Sequence, residues 1–211
     1  QQIRLMKPES DLARNPLAAA AALRRRLKRR SCTFGAWLSI GHPEIASIFA
    51  GAKGECVGFD LEHTTIDLST AQQIIRACHE FGRACLPRIA ATGHLEQIRR
   101  LLDAGADGVV VPQVSSREDV DRVVEALRYP PEGRRSFGVA AAHRYGRAFD
   151  AYVRAANASL SLIVQVETIA AVDDGDLPGK IGEKDGLLNS RITSADDHDI
   201  SVSIEGTVTG C

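Results

Sequence analysis

The chain reads as an α/β protein built on a parallel sheet, and three observations lead there. Short apolar runs alternate with longer segments of helical spacing. The runs are continuously apolar rather than alternating, as strands covered on both faces must be. The distance from one run to the next is near that of a βαβ unit. Two architectures answer to this pattern: an eight-stranded β/α barrel and an open doubly wound sheet. No GxGxxG follows the first run, so a dinucleotide-binding sheet has no support, and no P-loop occurs.

Residues 1–14 read as an extension. Asn15-Pro16 then supplies an N-cap followed by proline at the first helical position. Ala18 to Ala22, Leu23 and Leu27 continue that helix. Its far end, Arg24 to Arg30, is strongly basic. Such a run serves either a nucleic-acid patch or a solvated helix end, where cations suit the helix dipole. No aromatic residues interleave and the chain is slightly acidic, so the solvated end is the reading adopted.

Strands are expected at Phe34–Ile40, Cys56–Asp60, Cys85–Ile89 and Gly108–Pro112, with a weak fifth at Ser136–Val139 and a sixth at Leu160–Val166. Between them, Leu68, Ala71, Ile74, Ile75, Cys78 and Phe81 keep helical spacing, and so do Leu95, Ile98, Leu101 and Leu102, with Gly105 as a stop. Ser116 to Asp119 is a capping-box start with aspartate in the third place. Val120, Val123, Val124 and Leu127 follow on one face, and Tyr129-Pro130-Pro131-Glu132-Gly133 ends that helix. The core is therefore drawn over 15–173, with 174–211 as a divergent or incomplete C-terminal segment.

The 211 residues suffice for one sizeable core. A net charge of −1 gives no global argument for nucleic acid or a membrane surface. No apolar run approaches the roughly eighteen residues of a membrane span. The first twelve residues carry no secretory h-region. Five cysteines, irregularly spaced and without a CxxC pair, argue against a disulfide framework or zinc ribbon. A cytoplasmic location is the expectation, with the cysteines as small apolar fillers.

Chemistry in parallel α/β folds gathers at the carboxyl ends of the strands. There the second run ends in Asp60, Glu62 and His63, the third in Arg88, and the fourth runs into Gln113. The sixth carries Gln165 and Glu167, two apart and so on one face. Ionisable groups at a buried strand end cost several kcal/mol unless paired or bound, roughly. A glutamate such as Glu167 suits a hard divalent cation. An arginine such as Arg88 grips a carboxylate or a developing enolate. A histidine such as His63 moves protons near neutral pH. Each has a plain alternative: His63 a loop or interface histidine, Glu167 the partner of a structural arginine, Arg88 the ion-pair partner of Asp60. Their joint placement favours metal-assisted carbonyl chemistry.

The segments GFDLEHTTID, LPRI, LLDAGADGVVVPQV, RYPPEGRRSFG and VQVET, in this order, resemble the HpcH/HpaI aldolase family. The resemblance spans about Asn15 to Asp173 and lies nearer the branch acting on dihydroxyheptenedioate and dehydro-deoxyglucarate than the citrate lyase β branch. It implies a TIM (β/α)8-type barrel, truncated or irregular after the sixth strand. It implies a class II aldolase that joins or cleaves pyruvate and an aldehyde with a Mg²⁺, Mn²⁺ or Co²⁺ ion, without a Schiff-base lysine. The base would be His63, oriented by Asp103. Arg88 would handle the pyruvate carboxylate and enolate, and Gln165 would contact substrate. Glu167 and Asp199 would hold the metal, with Asp60 and Glu62 near its waters. The family's habit implies a homo-oligomer where the fold is complete.

The C-terminal part departs from the pattern. A GPxDLS-type motif should carry the second ligand, but the chain reads DGLLNSRITSADDHDISVSIEG, and Asp196 and Asp197 rival Asp199. Only 44 residues follow Glu167 in the 211. Two further strand–helix units would need about 60, at ~30 or more each. Two rival readings follow, an inactive barrel remnant and a citrate lyase β-like lyase of coenzyme A thioesters. Arg135 reads as structural, and His143 as a surface or interface residue.

Overall fold

The computed structural model describes residues 16–166 and, further on, the backbone of two strands at 193–194 and 200–204. Helix α1 (Ala18–Lys28) comes first, then β1 (Gly35–Leu38), α2 (Pro43–Gly51), β2 (Cys56–Asp60), α3 (Leu68–Glu80) and β3 (Ala84–Arg88). Next are α4 (Leu95–Ala104), β4 (Gly108–Val111), α5 (Arg117–Leu127), a 3₁₀ turn (Ala141–His143), α6 (Phe149–Ser159) and β5 (Ser161–Val166). The late strands are β6 (Thr193–Ser194) and β7 (Ile200–Ile204). Strands β1 to β5 are parallel neighbours in chain order, the signature of a winding β/α barrel. Strand β7 continues the parallel series beside β5, and β6 lies antiparallel on β7.

The local signals act as their chemistry dictates. Asp67 caps α3 by accepting from the Thr70 amide at 2.7 Å. Gly105 ends α4 at a φ of 112°. Ser116 and Asp119 form a reciprocal capping box at α5.

The weak fifth strand does not form: no strand includes residues 136–139. Phe137 instead stacks on Tyr129, with ring centroids 4.6 Å apart, and tilts against Phe149. Phe137 stays half exposed on these rings, and the sheet passes directly from β4 to β5. Gly108 and Ser161 pair at that junction, where a Cβ on Gly108 would meet the Ser161 carbonyl oxygen at 2.1 Å. The run expected as the sixth strand is thus the fifth. Helices α2 and α6 are additions to the expected elements; His42 caps α2, its Nδ1 accepting from the Glu44 amide at 3.2 Å.

Strand alternation splits the core in two. Val57, Phe59, Cys85, Val109, Val111, Leu162 and Val164 face the helices and join the main cluster. Ala84, Leu86 and Val110 face the interior, where Leu23 and Leu27 of α1 pack on them with Cys56 and Ile163. Helix α1 thus covers the interior beneath the sheet. Within its basic run, Arg24 is buried and donates to the carbonyls of Asn157 and Leu160 at 3.0 and 2.6 Å. Burial, then the nearby Arg128 charge, pull its pKa down to about 10. The solvated-end reading suits Arg25, Lys28, Arg29 and Arg30, which are exposed, but not Arg24. Among the described residues no helix is long and apolar enough to cross a membrane.

Candidate active site

The inward face at the carboxyl ends of the strands carries Asp60 on β2, Arg88 on β3 and Gln165 on β5. Asp60 and Arg88 are register partners across the β2–β3 ladder. Arg88 lays one edge of its guanidinium on the Asp60 carboxylate, Nε to Oδ1 at 2.9 Å and Nη2 to Oδ2 at 2.8 Å. Its Nη1 points to Gln165 Oε1 at 3.4 Å. The ion pair named as the plain alternative for Arg88 does form. It also fixes the fork, turning the remaining edge toward Gln165. Burial opposes the charge on Asp60. The hydrogen bonds from Arg88 and from the Glu62 and His63 amides, with the Arg88 charge, hold its carboxyl below the ordinary value.

Asp60 also shapes the turn that follows. Its two oxygens accept from the amides of Glu62 at 2.9 Å and His63 at 3.3 Å. Its own carbonyl accepts from the Thr64 hydroxyl. The turn folds Glu62 inward, with 6% of its side chain exposed, and His63 outward, with 71% exposed. His63 Nε2 stands 3.6 Å from Glu62 Oε1. That oxygen also accepts from Gln113 Nε2 at 2.9 Å. Glu62 Oε2 lies 3.3 Å from Arg88 Nε, yet it is buried without a hydrogen-bond partner.

Trp37 in this mouth is not among the expected site residues, and Gln113, expected at the end of its strand, has no role in that expectation. The Trp37 ring lies 5.5 Å from the Arg88 guanidinium, over Gly58, where a Cβ would collide with it at 2.4 Å. Alternation along Gly35-Ala36-Trp37 carries that signal, since Gly35 and Trp37 share the inward face. Gln113 adopts a φ of 54°, which few non-glycine residues take, and its bond to Glu62 helps hold it there. Its position just after β4 is the signal.

Asp103 is not brought to His63. It lies late in α4, at the end that feeds the start of β4, whereas His63 follows the end of β2. Its Oδ1 accepts from Arg135 Nη2 at 2.8 Å. Arg135 is 1% exposed and sits between the Tyr129 and Tyr152 rings, at 4.6 and 5.7 Å from their centroids. In this chain Asp103 is the counter-ion of a buried arginine. His143 is buried, not on the surface. Its Nδ1 accepts from the Gly146 amide at 2.9 Å, and its Nε2 lies 2.6 Å from the Gly138 carbonyl, so it staples that loop.

Glu167, Asp199, Asp196 and Asp197 lie outside the described residues. The strand after Asp199 begins at Ile200, opposite Leu162, and the residue level with Gln165 is Ser203. Among the described residues no group of three or more His, Cys, Asp and Glu could hold a metal. What they offer a hard cation is an oxygen-rich rim and the unpartnered Glu62 Oε2, a fit for an ion's water rather than for the ion itself.

A family model described as HpcH/HpaI aldolase/citrate lyase matches residues 33–177. The chain belongs to this family. Among its relatives, the 4-hydroxy-2-oxovalerate aldolase of Novosphingobium aromaticivorans is 36% identical over 163 residues, covering 77% of this chain and 62% of that protein. The hydroxypyruvate/pyruvate aldolase of Cupriavidus necator is 32% identical over 178 residues, covering 83% and 63%. A solved HpcH/HpaI aldolase/citrate lyase family protein from Burkholderia cenocepacia superposes with a TM-score of 0.68 at 29% identity, covering 72% of this chain and 62% of that one. The chain thus spans a little under two thirds of the length of these HpcH/HpaI relatives.

Proposed function

We propose that this chain carries the site of a class II aldolase, which cleaves a 4-hydroxy-2-oxo acid to pyruvate and an aldehyde, or joins them. The observation that carries the reading is the Asp60–Arg88–Gln165 arrangement on one inward face, in a member of an aldolase family. Arg88 binds the anionic end of the oxo acid through the edge turned away from Asp60, and Gln165 sets its orientation. His63, on the exposed turn, takes the proton of the 4-hydroxyl. The bond between C3 and C4 breaks, the aldehyde leaves, and the electron pair stays on C3 as the pyruvate enolate. A proton then returns to C3. Glu167 would hold a divalent cation, which supplies polarisation of the oxo group when bound. Asp199, the second ligand implied by the family pattern, is tested beside it. The four cysteines among the described residues form no disulfide, which fits a reducing, cytoplasmic setting.

The test is exchange of the pyruvate methyl protons for deuterium, followed by NMR, with and without Mn²⁺ or Mg²⁺. Enolisation is common to the reaction class, so no aldehyde need be guessed. The expected result is metal-dependent exchange that falls by about 10²-fold or more in His63→Ala and disappears in Glu167→Ala. No exchange from a folded sample would sink the activity. It would favour the reading of an inactive barrel remnant.

A further inference from the structure

We propose that a cavity at the opposite end of the sheet is a second binding site, for a small multiply charged anion such as a phosphate or a dicarboxylate. The cavity measures about 850 Å³ and lies between the start of α1, the ends of α3 and α4, and the 141–147 turn. Arg76, His79, Arg144 and Arg147 line it, and among the described residues Glu80 is the one carboxylate of its lining. Its floor is apolar and small, including Leu17, Ala19, Ala104 and Ala142. It is separate from the mouth, because Arg88 and Gln165 end their strands while Ala104 and Gly105 precede the start of β4.

Two of the charges at this cavity, Arg76 and Arg147, are poorly compensated. Among the described residues neither Arg76 nor Arg147 pairs with a carboxylate; Arg76 Nη2 donates only to the Tyr145 hydroxyl, at 3.1 Å. Other exposed arginines, such as Arg99, Arg100 and Arg154, also lack an acid partner among the described residues; what sets Arg76 and Arg147 apart is that both border one concavity. Concentrating unpaired guanidinia around a concavity focuses a positive potential there. His79 adds to it. Its Nε2 is 2.7 Å from Asp107 Oδ2, and Asp107 is buried and also accepts from the Cys85 amide at 2.9 Å. Burial disfavours the charged imidazole, but the Asp107 carboxylate outweighs it, so its pKa stands above the ordinary histidine value. A guanidinium pair recognises phosphate and carboxylate oxygens alike, with paired donors, and the apolar floor accepts a short carbon chain.

Calorimetric titration of the full chain with inorganic phosphate, and separately with succinate, tests this at an ionic strength fixed with chloride. Saturable binding of one equivalent is expected in the wild type and in Arg88→Met. Binding at least about tenfold weaker is expected in the double variant Arg76→Gln/Arg147→Gln. Both side chains are exposed, so that variant should keep the fold, which circular dichroism checks. Phosphate alone, or succinate alone, would assign the anion class. The exposed pair Arg25→Gln/Arg29→Gln removes the same charge elsewhere and should leave binding unchanged. Heats no greater than the chloride blank would overturn the proposal. So would binding lost in an Arg88→Met sample that circular dichroism shows to be folded, or weakened equally by both double variants.

Discussion

Asp60 serves three elements at once: the guanidinium of Arg88, the turn that presents His63, and, through that turn, the inward Glu62. Asp60→Asn keeps the size and removes the charge, leaving Arg88 buried beside a neutral amide. Breaking a buried pair by removing one partner costs about 3–5 kcal/mol. A loss of that order is expected in urea denaturation at neutral pH, together with loss of proton exchange. The pH dependence follows from the depressed carboxyl. Stability from this pair is full above the carboxyl's unfolded value and is lost as pH falls through its lower folded value. The variant's deficit should therefore shrink in acid; a deficit constant down to the acid limb would mean the charge is not what stabilises. The residue types of this site were legible: Asp60, Arg88 and Gln165 all stand at strand ends of a recognisable alternation. The partnership of Asp103 was not, because a late helical position does not say which neighbour it faces. Arg135, 32 residues on, reaches it only through the folded aromatic cluster.

At the scale of elements, the sequence reported capped, striped helices and continuous strands well. Helix α2 was hidden because Ile45, Ala46, Ile48, Phe49 and Ala50 leave no clean polar face to reveal the period. Helix α6 was hidden because its buried stripe, Tyr152, Ala156 and Ser159, mixes an aromatic, a small and a polar residue and shows no clear apolar period. The false strand at 136–139 was a short apolar run that stays exposed, with Phe137 touching other aromatic rings rather than entering the sheet. The β4–β5 junction gives the sharpest test at this scale. Gly108 has a φ of 157° and sits against the Ser161 carbonyl, whereas Gly82 has a φ of 65° and nothing within 4 Å of the place a Cβ would take. Gly82→Ala carries backbone strain alone, about 1–3 kcal/mol. Gly108→Ala must also push β4 from β5, adding about 1–3 kcal/mol of overpacking. Thermal denaturation of the pair should rank Gly108→Ala the more damaging. Equal losses would mean the two strands part without cost.

The whole molecule is sealed from below by a helix whose purpose its caps do not announce. Asn15, expected as its N-cap, lies outside the described residues, and α1 begins at Ala18 behind Leu17 with no side-chain cap. Neither that start nor the basic run at its end says what the helix covers. Its apolar residues do: Leu23, 2% exposed, and Leu27, 8% exposed, fill the interior against Ala84, Leu86 and Val110. Those strand residues share the inward face with Arg88, so the same alternation that aims the site upward leaves an apolar floor needing a cover. Helix α1 is that cover, and Arg24 ties it to the chain entering β5. Leu23→Ala should then behave as a core truncation, costing about 2–5 kcal/mol, with the urea midpoint falling and the slope unchanged. A peripheral helix would lose under about 0.5 kcal/mol and would fray in a separate, earlier transition. Proton exchange per folded molecule should be unaffected by Leu23→Ala, because Leu23 packs on the start and middle of the strands and Arg88 stands at their end. Coupled loss of exchange at full folding would mean that the floor helps place Arg88, and that the site extends through the interior to α1.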